Sequence, residues 1–274
     1  ADRTLPHRGK VILLIAVTRE VSPRFNECEI THIERAPIDI DVARRQHHQY
    51  AQTLKELGCA VLELPAEADL PDSVFVEDTA VILPEVALLT RPGADSRKPE
   101  VESIACALAP YRETVRIQPP ATIDGGDALV IGKEIFVGMS TRSAVSVIDQ
   151  MNQLLGKYGY KTRSVELRDC LHLKSAVTRI DDETLLINPN WVDPENFEGY
   201  KLIDVHPSEP FAANCLPING SIIFPTAFPQ TTARLESLGF KIKPVVVDEL
   251  AKAEGAVTCC SLIIYNNARA QDNR

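Results

Sequence analysis

Cys259 stands at the mouth of an apolar run, Thr258-Cys-Cys-Ser-Leu-Ile263, and a thiol is the side chain most readily turned into a nucleophile. Taken alone, such a cysteine reads as an ordinary buried strand residue, since free Cys is among the most buried types. Other reactive side chains, however, stand in similar settings: Glu77 and Asp78, Asp124 and Asp127, His172, and Asn214. A thiol, an imidazole and an orienting carboxylate could support acyl transfer, but that chemistry needs an oxyanion hole and makes no use of surplus acids. Asp72, Glu77 and Asp78 crowded near a thiol would raise its pKa and repel one another, so the set makes electrostatic sense once a cation arrives. A guanidinium suits it, being planar, permanently charged and forked to match carboxylates, with a central carbon open to thiolate addition.

The same residues sit at one position of a repeat. Openings at residues 74, 122, 171, 212 and 256 each lead through an apolar strand to a turn, a second short strand, a helical stretch and a third strand. Second strands are expected at 87–90, 134–138, 184–188 and 221–224, and third strands at 114–117, 162–167, 201–205 and 243–247. A helix is expected over 141–158, where Val145, Ile148, Met151, Leu154 and Leu155 step by three or four. The last opening has only a short tail, whereas the chain begins with an unmatched strand (11–17), helix (39–57) and strand (60–64). Joining the two ends completes a fifth unit, and five such units closing on themselves make a propeller-like α/β ring without exposed sheet edges. Equivalent positions of the first strands would then face one central channel. Strand alternation would send Glu77 and Asp78 to opposite sides unless the strand bends.

The chain has 274 residues, 45% of them hydrophobic and 24% charged, which suits one large globular domain, 1–274, with 1–10 a loosely attached terminus. A formal charge of −9 without a Lys/Arg run argues against nucleic-acid and anionic-membrane partners and suits a small cationic substrate. The longest apolar run, 11–17, is far short of the roughly 20 residues that span a bilayer. Polar flanks and the missing cleavage motif also argue against a signal peptide. Seven cysteines at long spacings, without a CxxC pair, suggest a reducing, cytoplasmic compartment and no metal centre. His47 and His48 read as helix decoration, Trp191 as a packing residue, and Gly125-Gly126 as no phosphate loop.

These pieces together resemble the guanidino-group-modifying superfamily, most closely the dimethylarginine dimethylaminohydrolases. The matching segments are Asp41-Val-Ala-Arg44 with Gln46-His47, Leu70 through Asp78, Thr90 through Arg97, Thr122 through Asp127, Val137 through Arg142, Leu171 through Lys174, Ala213 through Cys215, and Gly255 through Ser261. The resemblance implies a five-unit ββαβ propeller, the pentein fold, and hydrolysis of methylated arginine to citrulline and a methylamine without a cofactor. It implies Cys259 as nucleophile, His172 as acid and then base, and Asp124 as the carboxylate positioning His172. Asp72, Glu77 and Asp78 would hold the guanidinium and neighbouring polar groups, Arg97 and Arg142 would face the α-carboxylate, and the backbones of Ile30 and Ala253 would receive the α-amino group. The segment 20–32 departs from the animal enzymes' substrate-covering loop. Arginine deiminase and amidinotransferase chemistry would use the same triad. A non-catalytic binder of arginine-like cations and redox sensing by Cys259-Cys260 are the readings from other classes, and a homodimer is left open.

Overall fold

Residues 12–267 are described by the structure, a computed structural model; Val11 and the expected loose terminus 1–10 lie outside them. The chain opens with β1 (Ile12–Arg19), α1 (Ile40–Glu56) and β2 (Cys59–Leu64). Two complete units follow: β3 (Ala80–Ile82), β4 (Val86–Leu89), α2 (Glu100–Leu108), β5 (Glu113–Arg116), then β6 (Ala128–Ile131), β7 (Glu134–Met139), α3 (Val147–Leu155), β8 (Lys161–Glu166). The third comprises α4 (Leu173–Ala176), β9 (Val177–Arg179), β10 (Thr184–Ile187) and β11 (Lys201–Asp204). The fourth comprises β12 (Leu216–Ile218), β13 (Ser221–Pro225), α5 (Pro229–Ser237) and β14 (Ile242–Val245), after which come α6 (Asp248–Ala251) and β15 (Leu262–Asn267).

The strands form five three-stranded sheets, each with one antiparallel and one parallel pairing. The last of these joins the ends of the chain: β1 lies antiparallel to β15, with Leu14 opposite Tyr265, and parallel to β2, with Leu14 opposite Cys59. Buried side chains collect into five cores, each between two consecutive sheets; one packs Val81 and Leu88 on Val137 and Met151, another packs Val17 and Leu262 on Leu89 and Ile104. Tyr50 on α1 is wholly buried, and its hydroxyl bonds the Val257 carbonyl and Ser261 Oγ at 2.7 Å, tying this helix to the Cys259 turn.

Three expectations need correction. Apolar spacing suggested a helix over 141–158, but α3 starts at Val147 and passes into a 3-10 turn over Gly156–Tyr158. Residues before it form a turn in which Val145 is 72% exposed, because Ser140 Oγ and Asp127 hold that backbone away from helical geometry. The third unit has only a 3-10 turn, Pro194–Phe197, where a helix was expected, with proline and the Asp193 side chain fixing its start. Most consequentially, the reactive residues are not on the first strands; they lie on short turns just before them. Among the described residues, no helix is long and apolar enough to cross a membrane.

Candidate active site

Each of these five turns is hydrogen-bonded to its successor. Asp78 Oδ1 accepts from the Gly126 N–H at 2.9 Å, and Asp127 Oδ1 accepts from the Leu173 N–H at 3.0 Å. Asn214 Nδ2 donates to the Lys174 carbonyl at 3.0 Å, and Asn214 Oδ1 accepts from the Thr258 N–H at 3.1 Å. The Glu77 N–H donates to the Cys259 carbonyl at 3.1 Å, which links the last turn to the first. Asp127 and Asn214, grouped with the reactive residues by the repeat, thus position the backbone that carries His172 and Cys259.

A cavity with about 330 Å³ of space, part of it open to solvent, lies over these turns. Asp72, Asp78, Arg97, Arg142, His172 and Cys259 line it, and Ala253 closes one side. Asp124 lies behind His172, wholly buried, with Oδ2 3.1 Å from His172 Nε2 and Oδ1 accepting from the Gly93 N–H at 2.8 Å. Glu77 and Ile30 are not part of this wall. The 3-10 turn Val76–Thr79 aims Asp78 into the cavity and sends Glu77 to Lys174 Nζ at 2.6 Å and Thr258 Oγ1 at 2.7 Å. Arg97 is committed: its guanidinium donates to Asp78 at 2.5 Å, to both Glu100 oxygens at 3.2 and 2.8 Å, and to the carbonyls of Asp72 and Phe75. Among the described residues, Arg142 makes one side-chain bond, from Nη2 to Thr31 Oγ1 at 3.0 Å.

The electrostatics follow from burial. Desolvation, with Glu77 and Asp78 nearby, holds the Cys259 thiol well above its ordinary pKa, so it is neutral in this state. Burial pulls His172 down, but Asp78, Asp127 and Asp124 outweigh it and raise the imidazole to about 9. His172 is therefore protonated at neutral pH; its contribution to stability is full below its ordinary value and is lost as pH rises through about 9. Burial raises Asp127 to about 6 against the pull of His172, Ser140 and Ser143. Burial disfavours the Asp78 carboxylate, but His172 and Arg97 outweigh it and bring its pKa down to about 2. Asp78, Asp124 and His172 bring ligand atoms within 4.8 Å of one another, which is a metal-binding dimension. His172 and Asp124 already share a hydrogen bond there, so a metal ion would have to displace the imidazole's proton to be held.

Gly126 permits this contact: a Cβ there would stand 2.7 Å from His172 Nδ1 and 2.8 Å from Asp78 Oδ1. Gly126→Ala should fold yet lose about a hundredfold in kcat, because the imidazole must move aside. Steady-state turnover beside a thermal melt checks this, and wild-type kcat would refute it.

The segment before α1 covers the cavity. Phe25 is buried edge-on against Phe75, the Glu29 N–H donates to both Asp72 oxygens at 3.2 Å, and Ser96 Oγ donates to Glu29 at 2.6 Å. Glu254, whose φ of +59° is left-handed, accepts from the Thr31 and His32 N–H groups at 2.7 Å each. Sequence reading missed Glu254, since its partners are backbone amides 223 and 222 positions away.

An arginine deiminase family model matches residues 68–216, more than half of the chain. The fold and site are thus those of a guanidino-modifying enzyme. A dimethylarginine dimethylaminohydrolase of Streptomyces coelicolor is 36% identical over 252 residues, covering 90% of this chain and 95% of the relative. Among solved structures, a mutant of the Pseudomonas aeruginosa dimethylarginine dimethylaminohydrolase, Cys to Ser, complexed with citrulline, matches with a TM-score of 0.86 at 28% identity, covering 92% of this chain and all of that one. A His-to-Gly dimethylarginine dimethylaminohydrolase adduct with S-methyl-L-thiocitrulline also matches at TM-score 0.86 and 29% identity, covering 91% and 98%. The chain belongs to the dimethylarginine dimethylaminohydrolase family.

Proposed function

We propose that this chain hydrolyses Nω-methylated arginine to citrulline and a methylamine, through a thiouronium on Cys259. The observation that carries this reading is one cavity wall presenting a thiol, a protonated imidazole and two carboxylates, with a guanidinium at the rim. Asp72 and Asp78 hold the substrate guanidinium, Arg142 exchanges Thr31 for the α-carboxylate, and the backbone of Ala253 receives the α-amino group, a task Ile30 does not share because it lies outside the wall. Arg97 acts on the substrate through Asp78, which it holds ionised, and Glu77 acts through its field on Cys259.

The incoming cation offsets the acids that keep the thiol protonated, so the Cys259 proton leaves to solvent as the substrate binds. Sγ adds to the guanidinium carbon. His172 gives its proton to the departing amine, the carbon–nitrogen bond breaks, and the thiouronium remains. Neutral His172 then takes a proton from water, the hydroxide adds to the same carbon, and the carbon–sulfur bond breaks as the adduct's hydroxyl proton passes to the departing Cys259 sulfur, leaving citrulline and the neutral thiol. Asp124 keeps the ring oriented through both steps. All electrons stay paired and water is the co-substrate, so no cofactor is needed.

The cyclic order of hydrogen-bonded turns and the five inter-sheet cores support a closed five-bladed propeller, the pentein arrangement, as a single catalytic domain over the described residues 12–267. All seven cysteines are unpaired thiols, which supports a reducing, cytoplasmic setting. Every residue in this scheme comes from one chain, so the chemistry is complete with or without a homodimer.

The test offers asymmetric dimethylarginine, monomethylarginine and arginine in parallel and follows citrulline with the released amine. Turnover of the methylated substrates supports the reading, whereas reaction of arginine alone would move it to a deiminase and no reaction would favour transfer or binding. A second expectation concerns the free thiol. Inactivation by iodoacetamide should speed up about tenfold per pH unit to at least pH 9, since only thiolate alkylates; a plateau below neutrality would contradict the neutral-thiol state.

A further inference from the structure

Beside the catalytic cavity is a larger chamber of about 1320 Å³, counting its mouth. Leu171, Glu254 and Gly255 line both spaces, so one thin partition separates them. The far walls are apolar, formed by Ile33, Phe211, Phe228, Val247 and Ala251, and the covering segment supplies one side. Phe211, although it packs against Trp191, is still 51% exposed within this concave space. Concave, mainly apolar spaces with a few polar groups are the usual form of small-molecule sites.

The polar groups are unbalanced. Glu34, Asp248 and Glu254 all line the chamber. Both Glu254 oxygens are taken by the Thr31 and His32 amides, and Asp248 Oδ1 accepts from Gln46 at 3.3 Å. Among the described residues, Glu34 has no ion pair. The opposing cation, Lys252, is spent on Glu249 at 2.7 Å and the Pro37 carbonyl at 3.1 Å; His32 is the other basic side chain on the wall. We propose that the chamber is a second binding site, for an amphipathic organic cation: an ammonium set against Glu34 and Asp248, with a short aromatic or branched body against Phe211 and Phe228. The proposal stands apart from the hydrolase reading, because the chamber has its own walls and its binding is read without turnover.

The fold supplies a reporter. Trp191 is the single tryptophan, and its ring lies edge-on to Phe211 with centroids 4.9 Å apart. Phenethylammonium titrated into the intact protein should change tryptophan fluorescence saturably, with matching heat in a calorimeter. Phenethyl alcohol, its neutral counterpart, should bind about fivefold more weakly, as should phenethylammonium to Glu34→Gln, each having lost a partly exposed charge pairing. Ala227→Phe, which fills the chamber from an exposed position, should abolish binding while methylarginine turnover stays at the wild-type rate. Equal affinity for the alcohol and the ammonium would overturn the charge assignment, and binding that survives Ala227→Phe would place the cation in the catalytic cavity and overturn the site. Absence of heat and of a fluorescence change in wild type would overturn the proposal outright.

Discussion

Cys259→Ser should lower turnover of methylated arginine by about 10⁴-fold or more while leaving substrate affinity nearly unchanged. Removing an enzyme nucleophile commonly costs this much or more, because the remaining groups act only on the bond it would form. The effect should be large here because serine carries the same burial and the same neighbouring acids, Glu77 and Asp78, without a thiol's acidity. Substrate arrival can bring a thiol within reach of ionisation, but a hydroxyl starts far too high. Binding should survive because Asp72, Asp78 and Arg142 make the contacts and the backbone of residue 259 keeps its bonds to Glu77 and Ala256. Calorimetric titration of the variant beside single-turnover citrulline assays separates the two effects. Turnover within a hundredfold of wild type would remove Cys259 from the chemistry, and lost binding with lost turnover would make it a packing residue.

The repeat was legible because its signal is local: an apolar run after a polar opening recurs at 74, 122, 171, 212 and 256, and the second and third strands fall within a residue or two of those expected, whereas each first strand begins later, after a turn. The helix over 39–57 was legible for the same reason, since Asp39 caps it and accepts from the Val42 N–H at 3.0 Å. The site's membership was also readable, as repeat position groups Asp78, Asp124, His172 and Cys259 whichever element carries them. Direction was not readable. Period-two alternation assumes a strand, and Glu77 and Asp78 sit on a 3-10 turn whose hydrogen bonds are fixed by neighbouring units. Nor does sequence say which cations are already spent: Arg97 and Arg142 look alike until Glu100 and Asp78 are seen to surround the first. Glu100 itself stands at the start of α2, where an acid is unremarked because helix N-termini favour them.

Arg97→Met should be the most damaging of the non-nucleophile substitutions, costing about 3–5 kcal/mol of stability at pH 8, since it leaves Asp78 and Glu100 buried without their shared cation. The loss should depend on pH in a definite sense. Burial raises Glu100 to about 7 even with Arg97 present, so at pH 5 the folded protein already holds it neutral and only Asp78 is left uncompensated. A raised folded-state carboxyl weakens the fold as pH climbs from its ordinary value through about 7, and without Arg97 that penalty grows. Asp78 works oppositely: held at about 2, it stabilises above its ordinary value and stops doing so as pH falls through about 2, well below either assay condition. Urea denaturation of wild type and variant at pH 5 and pH 8 should thus show the smaller difference at pH 5. Arg97→Lys should recover part of the loss, because one ammonium reaches Asp78 or Glu100 but lacks the fork that bridges both. Asp78 in Arg97→Met will also protonate more readily, which removes the substrate's counter-charge and a support for the imidazolium of His172, so the alkaline limit of activity should move below about 9. Equal losses at both pH values, or a loss under about 1 kcal/mol, would show that these carboxylates are satisfied by something other than Arg97.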